Sequence, residues 1–416
     1  MARRDRRSNG RLLASVLSLL LIAGVLRSTT PTTTTTTASN SRHRVYIFVG
    51  TRPEAIKLSP LATELSASAH FETHVVFSGQ QPDLVEPFFQ FFNVHPNIRL
   101  TGILVPGQSL SALLAKLITG FESALPKSRP SGDIWVVQGD TSTALAAAVV
   151  GFNRGVHVAH VEAGLRTYDM SSPFPEEFNR KTISSIAAFN FAPTQRAVEN
   201  LRKENVPGNT IISGNTIIDA ARFTQGKALS TPLVMQKCFQ SIEDTKLVLL
   251  TLHRRETSAE KMREIYDTIA SVSCPDCVFV VPLHPNPKAR TAALRQCGAD
   301  PRFLCPEALS YTDTHWVLAH AMIVLTDSGG LQEEASYYQL PALVLRDKTE
   351  RPEGVSAGIS AVVGDDMDKL AHLMGELLVP GSDARLSMSA KAFPYGRGNS
   401  SKTIAAALRK LLDEAL

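Results

Sequence analysis

The fold of this chain is read from His160-Val-Glu-Ala-Gly-Leu-Arg-Thr-Tyr-Asp-Met-Ser-Ser-Pro-Phe-Pro-Glu-Glu-Phe-Asn-Arg180. The stretch follows an apolar run, Val156–Val161, and carries Glu162, Arg166, Asp169, Glu176, Glu177 and Arg180. Pro173 and Pro175 break any helix ahead of Glu176, so the polar groups from Leu165 to Phe174 are expected on a held loop. Open α/β sheets keep their sites on such loops, at the carboxyl ends of strands. A solvated surface loop would show the same charges. Three further segments end in similar polar clusters, and that recurrence favours a site.

Working outward, short apolar runs alternate with helical stretches. Val45–Val49 reads as a strand ending in Gly50-Thr51-Arg52-Pro53-Glu54, with a helix expected from Glu54 to Ser66. A glycine turn between strand and helix lets backbone N–H groups approach an anion, and Arg52 and Lys57 add charge. His74–Phe77 leads to Ser78-Gly79-Gln80-Gln81, and Ile134–Gln138 to Gly139-Asp140-Thr141 and an alanine-rich helix. Asp140 can be read as a helix cap or as a free carboxylate. Continuous apolar strands separated by helices predict a parallel sheet covered on both faces.

A second series starts at Leu247–Leu250 and exits into Thr251-Leu252-His253-Arg254-Arg255-Glu256. Arginine forks with a histidine suit a negatively charged ligand; an internal ion-pair network with Glu256 is the alternative. Val278–Val281 leads to a proline-fixed loop holding His284. Met322–Leu325 leads to Thr326-Asp327-Ser328-Gly329-Gly330 and a helix over Leu331–Tyr338, an anion seat at a helix start. Ala342–Leu345 runs into Arg346–Gly354. Two doubly wound, Rossmann-like domains facing a central cleft are predicted, 44–216 and 217–392, with a terminal helix in 393–416 crossing back to the first.

The first 43 residues differ from the rest. Met1–Arg44 holds eight arginines against one aspartate, so the formal charge of +4 conceals a slightly acidic body without the basic stripe of a nucleic-acid binder. The apolar run Leu12–Leu26 and the threonine-rich tract Thr29–Thr37 predict a leader and linker. Membrane anchor, secretory signal and organelle targeting are the expected roles, with a cytoplasmic protein as the alternative. Five cysteines form no disulfide framework by number, and Cys274-Pro-Asp-Cys277 lacks the partners of a zinc site, so buried or incidental thiols are expected.

From Val45 to Leu416 the chain resembles the non-hydrolysing UDP-N-acetylglucosamine 2-epimerases. The matching motifs run in the family's order. They begin with GTRPEAIK at Gly50–Lys57, QGDT at Gln138–Thr141, HVEAGLRT at His160–Thr167 and SPFPEEFNR at Ser172–Arg180. GNTIIDA at Gly214–Ala220, HRRE at His253–Glu256, TDSGGLQEEA at Thr326–Ala335 and RPEGVSAG at Arg351–Gly358 complete them. The resemblance implies the GT-B fold, a homodimer and reversible conversion of UDP-GlcNAc to UDP-ManNAc for polysaccharide precursors. The implied route is elimination of UDP and re-addition, with no cofactor and no metal. It makes Asp140, Glu162 and Glu176 the acid–base candidates, without saying which face of C2 each serves, and puts His253 beside the departing phosphate.

Further implied contacts are Arg52, Lys57, Gln108, Ser328, Gly329, Gly330, Glu334 (to the ribose) and Arg351. Gln80, Arg255 and His284 match positions where bacterial relatives take a second UDP-GlcNAc. Gln81, Asp83 and Gly107 depart from the surroundings usual there, Leu252 replaces a small residue, and Thr314 stands where the family has phenylalanine beside uracil. A hydrolysing epimerase, another GT-B UDP-sugar enzyme and a non-catalytic nucleotide-sugar-binding protein are the alternatives.

Overall fold

The computed structural model describes residues 42–129, 132–171, 173–227, 229–236, 245–254, 257–389 and 393–413. The first series of elements is β1 His43–Val49, α1 Arg52–Ala67, β2 Phe71–Phe77, α2 Pro82–Phe92, β3 Ile98–Arg99, α3 Leu110–Ala124 and β4 Asp133–Gln138. It continues with α4 Ser142–Asn153, β5 His157–Val161, α5 Glu176–Ile186, β6 Phe189–Ala192, α6 Gln195–Lys203, β7 Asn209–Ile212 and α7 Thr216–Gln225. The second holds α8 Leu233–Gln236, β8 Lys246–Thr251, α9 Ala259–Ser271, β9 Cys277–Val280, α10 Pro287–Ala299, β10 Phe303–Leu304, α11 Tyr311–His320 and β11 Ala321–Thr326. After these come α12 Gly329–Tyr337, β12 Ala342–Val344, α13 Pro352–Ser356, β13 Ser360–Val362, α14 Met367–Leu377, α15 Asp383–Ser389 and α16 Ser400–Asp413.

Two sheets result, ordered β3-β2-β1-β4-β5-β6-β7 and β10-β9-β8-β11-β12-β13, and every pairing is parallel. The chain reverses direction across each sheet between β1 and β4 and again between β8 and β11. Side-by-side strands whose following helices lie on opposite faces leave a crevice at their carboxyl ends, the place where doubly wound sheets bind ligands. The strands are apolar throughout because both faces are covered. Ile47, Val45 and Val136 join one core with α1 and α2, while Phe48, Trp135 and Val137 join another with α3 and α4. The second sheet is covered in the same way. The architecture is GT-B: two Rossmann-like halves about a cleft.

The last helix belongs to the first core. Backbone N–H groups of Ser400 and Ser401 donate to Asp219 of α7 at 3.0 and 2.8 Å, and Ile404, Leu408 and Leu412 pack with β1 and α1. The chain thus leaves the second sheet and returns to the first.

Three expectations need correction. Cys274–Cys277 and Cys297–Cys305 are disulfide pairs with Cα separations of 5.3 and 6.2 Å, within the span a disulfide bridges, rather than incidental thiols. Membrane association is not supported: among the described residues no helix is long and apolar enough to cross a membrane. The expectation of a membrane anchor is therefore not carried forward. Leu12–Leu26 lies outside the described residues.

Candidate active site

The first half of the site is built at the β1/β4 switch point. Gly50 closes β1 where there is no room for a side chain: a Cβ would lie 2.1 Å from Thr143 Oγ1. Glu54, fully buried in the first turn of α1, accepts from the Gly50 and Thr51 N–H groups at 2.9 and 2.7 Å and from Thr141 Oγ1 at 2.6 Å. Burial raises its pKa to about 7 against the pull of those donors. It ties the turn after β1 to the turn after β4.

In that second turn the sequence left Asp140 as cap or free group. Thr141 is the cap, accepting from Ala144 N at 3.0 Å. Asp140 is therefore available, and Arg180 Nε meets its Oδ2 at 2.7 Å. The same guanidinium donates to Glu162 Oε1 at 3.0 Å and to the Glu162 carbonyl at 2.8 Å. Asn179, beside it on α5, donates to the Asp140 carbonyl at 2.7 Å.

Glu162 follows β5 with φ of +64°, a left-handed backbone uncommon for any residue but glycine and costing of order 1–3 kcal/mol. Such strain persists only where neighbours over-determine it. Here they are Arg180, Lys57 Nζ on Oε2 and Asn215 Nδ2 on the same oxygen at 3.2 Å. Burial opposes ionisation, yet the charges of Lys57, Arg180 and Arg351 outweigh it and hold Glu162 well below the usual carboxylate range. It is a carboxylate kept ionised in a buried place.

Glu176 is the first residue of α5, so Asn179 and Arg180 share its helix face at spacings of three and four. One oxygen of Glu176, Oε2, is buried without a hydrogen-bond partner. A buried unpartnered carboxylate oxygen is costly and calls for an external partner. Within β5, His160 bonds the Gly139 carbonyl through Nε2 at 2.8 Å and Ser184 through Nδ1 at 3.3 Å. Burial lowers its pKa to about 3, so it is a neutral strut under the Asp140 turn.

The second half lies at the β8/β11 switch point. His253 leaves β8 with its Nδ1 3.0 Å from Asp327 Oδ1 and its ring stacked on His284, centroids 4.7 Å apart. Ser328, Gly329 and Gly330 open α12, and the Ser328 side chain does not cap it, so the first-turn N–H groups are free to receive an anion. Arg351 lies against Gly329: a Cβ there would be 3.7 Å from its guanidinium carbon. Arg351 Nε is paired with buried Glu333. Asn215 joins the halves by donating to both Glu162 and Glu333, the latter at 3.1 Å. Its own Oδ1 accepts from Ile217 N at 3.1 Å, which fixes the amide's orientation.

Asp140, Glu162, Lys57 and Arg351 are thus brought into one connected network. Gln80 joins the first half through Thr143 Oγ1 at 2.8 Å. Arg52 lies over the Phe88 ring at 5.6 Å, and Glu334 Oε1 is 3.3 Å from His315 Nε2. Gln108 is not drawn in: its Nε2 donates to the Ile103 carbonyl at 3.0 Å and its Oε1 is buried without a partner. Thr314, expected near a base, bonds back to the Ser310 carbonyl within α11 at 2.9 Å. Arg255, with Glu256, lies outside the described residues. Sequence reasoning assigned no role to Arg180, Asn215, Glu333 or Asp327. For Arg180, its spacing of four from Glu176 was the available signal.

Two Rossmann-like sheets meeting at their switch points, one bearing clustered carboxylates and the other a helix start with arginine and histidine, define a GT-B enzyme of nucleotide-sugar chemistry. A family model described as UDP-N-acetylglucosamine 2-epimerase matches residues 63–409. The UDP-N-acetylglucosamine 2-epimerase of Bacillus subtilis (strain 168) is 38% identical over 364 residues, 87% of this chain and 93% of its own length. That of Escherichia coli (strain K12) is 35% identical over 373 residues, 88% and 98% respectively. The crystal structure of UDP-GlcNAc 2-epimerase from Neisseria meningitidis bound to UDP-GlcNAc matches with a TM-score of 0.77 at 33% identity, covering 88% of this chain and all of that one. The chain belongs to the non-hydrolysing UDP-N-acetylglucosamine 2-epimerase family.

Proposed function

We propose that the chain interconverts UDP-GlcNAc and UDP-ManNAc reversibly, as its family does, with Asp140, Glu162 and Glu176 as the acid–base groups at C2. A base removes the C2 proton while the bond from C1 to the diphosphate oxygen breaks, leaving a glycal-type alkene and UDP. Return of the diphosphate oxygen to C1 and of a proton to the other face of C2 gives the epimer. The cycle consumes nothing.

The observation that carries this reading is Arg180 clamped between Asp140 and Glu162. Epimerisation needs a proton-handling group on each face of one carbon, and a cation between two carboxylates holds both side chains close together and favours the ionised form of Glu162. Glu176, with its unpartnered oxygen, is the third candidate. The departing diphosphate gathers negative charge, which the N–H groups of Gly329 and Gly330, the Ser328 hydroxyl, Arg351 and His253 would stabilise. Arg52 and Lys57 would supply charge from the first half and Glu334 would serve the ribose, with Gln80 and His284 as further substrate contacts; Gln108, held on the Ile103 carbonyl, is not one of them.

The test runs purified protein from both directions and follows products by chromatography. UDP-GlcNAc and UDP-ManNAc must reach the same mixture from either start. Accumulation of free ManNAc with UDP would show a hydrolase, and binding without conversion a non-catalytic protein.

A further inference from the structure

Asp327 has no part in the chemistry assigned so far, yet it is fully buried at the β8/β11 switch point and its carboxylate faces the turn that carries His253 and Arg254. Thr251 and Thr326 are register partners in β8 and β11, so the next residues of the two strands run side by side. Asp327 Oδ2 accepts the backbone N–H groups of His253 and Arg254 at 2.6 and 2.8 Å. Oδ1 is left facing His253 Nδ1 at 3.0 Å, within hydrogen-bond distance but bent from the best alignment.

The rest of the cage holds the ring still. Asn286 Nδ2 donates to the His253 carbonyl at 3.2 Å, and His284 stacks on the imidazole with an interplanar angle of 27°. Burial lowers the His284 pKa, so His284 acts as a neutral wall. Burial works against ionisation of Asp327, but His253 and the two backbone amides outweigh it and its pKa falls. An ionised carboxylate only accepts hydrogen bonds, so the nitrogen facing it must carry hydrogen.

We propose that Asp327 is a positioning residue that holds His253 as the Nδ1–H tautomer, presenting Nε2 to the diphosphate oxygen that leaves and returns. The proposal rests on the reading of His253 as the group serving that oxygen. In the protonated ring, Nε2–H gives its proton to the oxygen as the C1–O bond breaks and recovers it on re-addition, so the proton count closes without another reactant. An asparagine at 327 could still accept both backbone N–H groups. Its amide would then face Nδ1 with hydrogens and drive the ring proton to Nε2, the wrong-tautomer effect known from the Asp-to-Asn change in the serine-protease triad.

The test is nitrogen-15 NMR of histidine-labelled full-length protein, with the His253 signals assigned by their loss in His253→Gln. Neutral His253 in the wild type is expected as Nδ1–H, and in Asp327→Asn as Nε2–H. The same Asp327→Asn protein is expected to lose kcat by about 10²–10⁴-fold with KM changed less than about threefold. An Nε2–H tautomer in the wild type overturns the proposal even if the variant fails to fold, and so does an Asp327→Asn variant with unchanged kcat. A fully active His253→Gln overturns instead the reading of His253 on which it rests.

Discussion

Replacing Arg180 by glutamine puts the site's electrostatics to the sharpest test. The guanidinium contacts Asp140 at 2.7 Å and Glu162 at 3.0 Å and is about one-tenth exposed. At an effective dielectric of about 20, one ion pair at such distances is worth about 5–6 kcal/mol before desolvation is counted. Burying the arginine cancels part of this, and breaking buried pairs by deleting one partner costs about 3–5 kcal/mol net. Arg180→Gln is therefore expected to lose about 3–5 kcal/mol in urea unfolding at neutral pH.

The pH dependence follows from Glu162. Its folded-state pKa is depressed, so the stability it contributes is present above the unfolded value of about 4.3 and is lost as pH falls through the folded one. Removing Arg180 weakens that depression, and acid unfolding must begin at higher pH in the variant. Epimerisation should fall by at least about 10²-fold, since the two carboxylates are then no longer held in place by a shared cation. Arg180→Lys, which restores a charge without the fork, should recover stability better than activity. Wild-type stability and turnover in Arg180→Gln would refute the reasoning.

Glu176→Gln is expected to change unfolding free energy by less than about 1 kcal/mol, because its buried oxygen has no protein partner to lose, while lowering turnover about 10²–10⁴-fold; a marked stability loss with normal turnover would contradict this. Gly50→Ala must collide with Thr143 and is expected to cost about 1–3 kcal/mol in chemical denaturation, together with activity, by moving the turn under Arg52. Buried neutral His160 makes wild-type stability decline as pH drops below about 6.5, where the unfolded chain takes up the proton, until the folded group titrates near pH 3. His160→Phe should flatten that part of the pH–stability curve. Leu408→Ala, fully buried in α16, is expected to cost about 2–5 kcal/mol, and a surface-like loss below about 0.5 kcal/mol would mean the last helix is not part of the first core.

The alternation of apolar runs with helical stretches was readable because parallel strands buried on both faces must be apolar along their length. Val45–Val49 and Ile134–Gln138 lie within β1 and β4 for that reason. β3, β10 and β13 were not anticipated; two or three residues give no periodicity, and their pairing is decided by neighbours already in place. α11 was missed since Tyr311–His320 mixes aromatic and polar residues around an inter-helix contact rather than showing one apolar stripe.

At the site, the carboxylates were legible as polar residues at strand exits, but their wiring was not. Asp140 and Thr141 are equally good caps on paper, and only the backbone decides that Thr141 takes the role. Glu162's left-handed backbone leaves no trace in a Val-Glu-Ala run. Asn215 is a helix cap by its oxygen and a bridge between two carboxylates by its nitrogen, a dual use visible only once α7 and α12 are packed.

The most direct measurement follows UDP-GlcNAc by NMR in deuterated water with the purified full-length protein. Proton transfer at C2 requires solvent exchange there, so UDP-ManNAc carrying deuterium at C2 is expected, with deuterium also appearing in the recovered UDP-GlcNAc. Binding with no deuterium at C2 in either sugar nucleotide, across substrate concentration and pH, would contradict acid–base epimerisation by this chain.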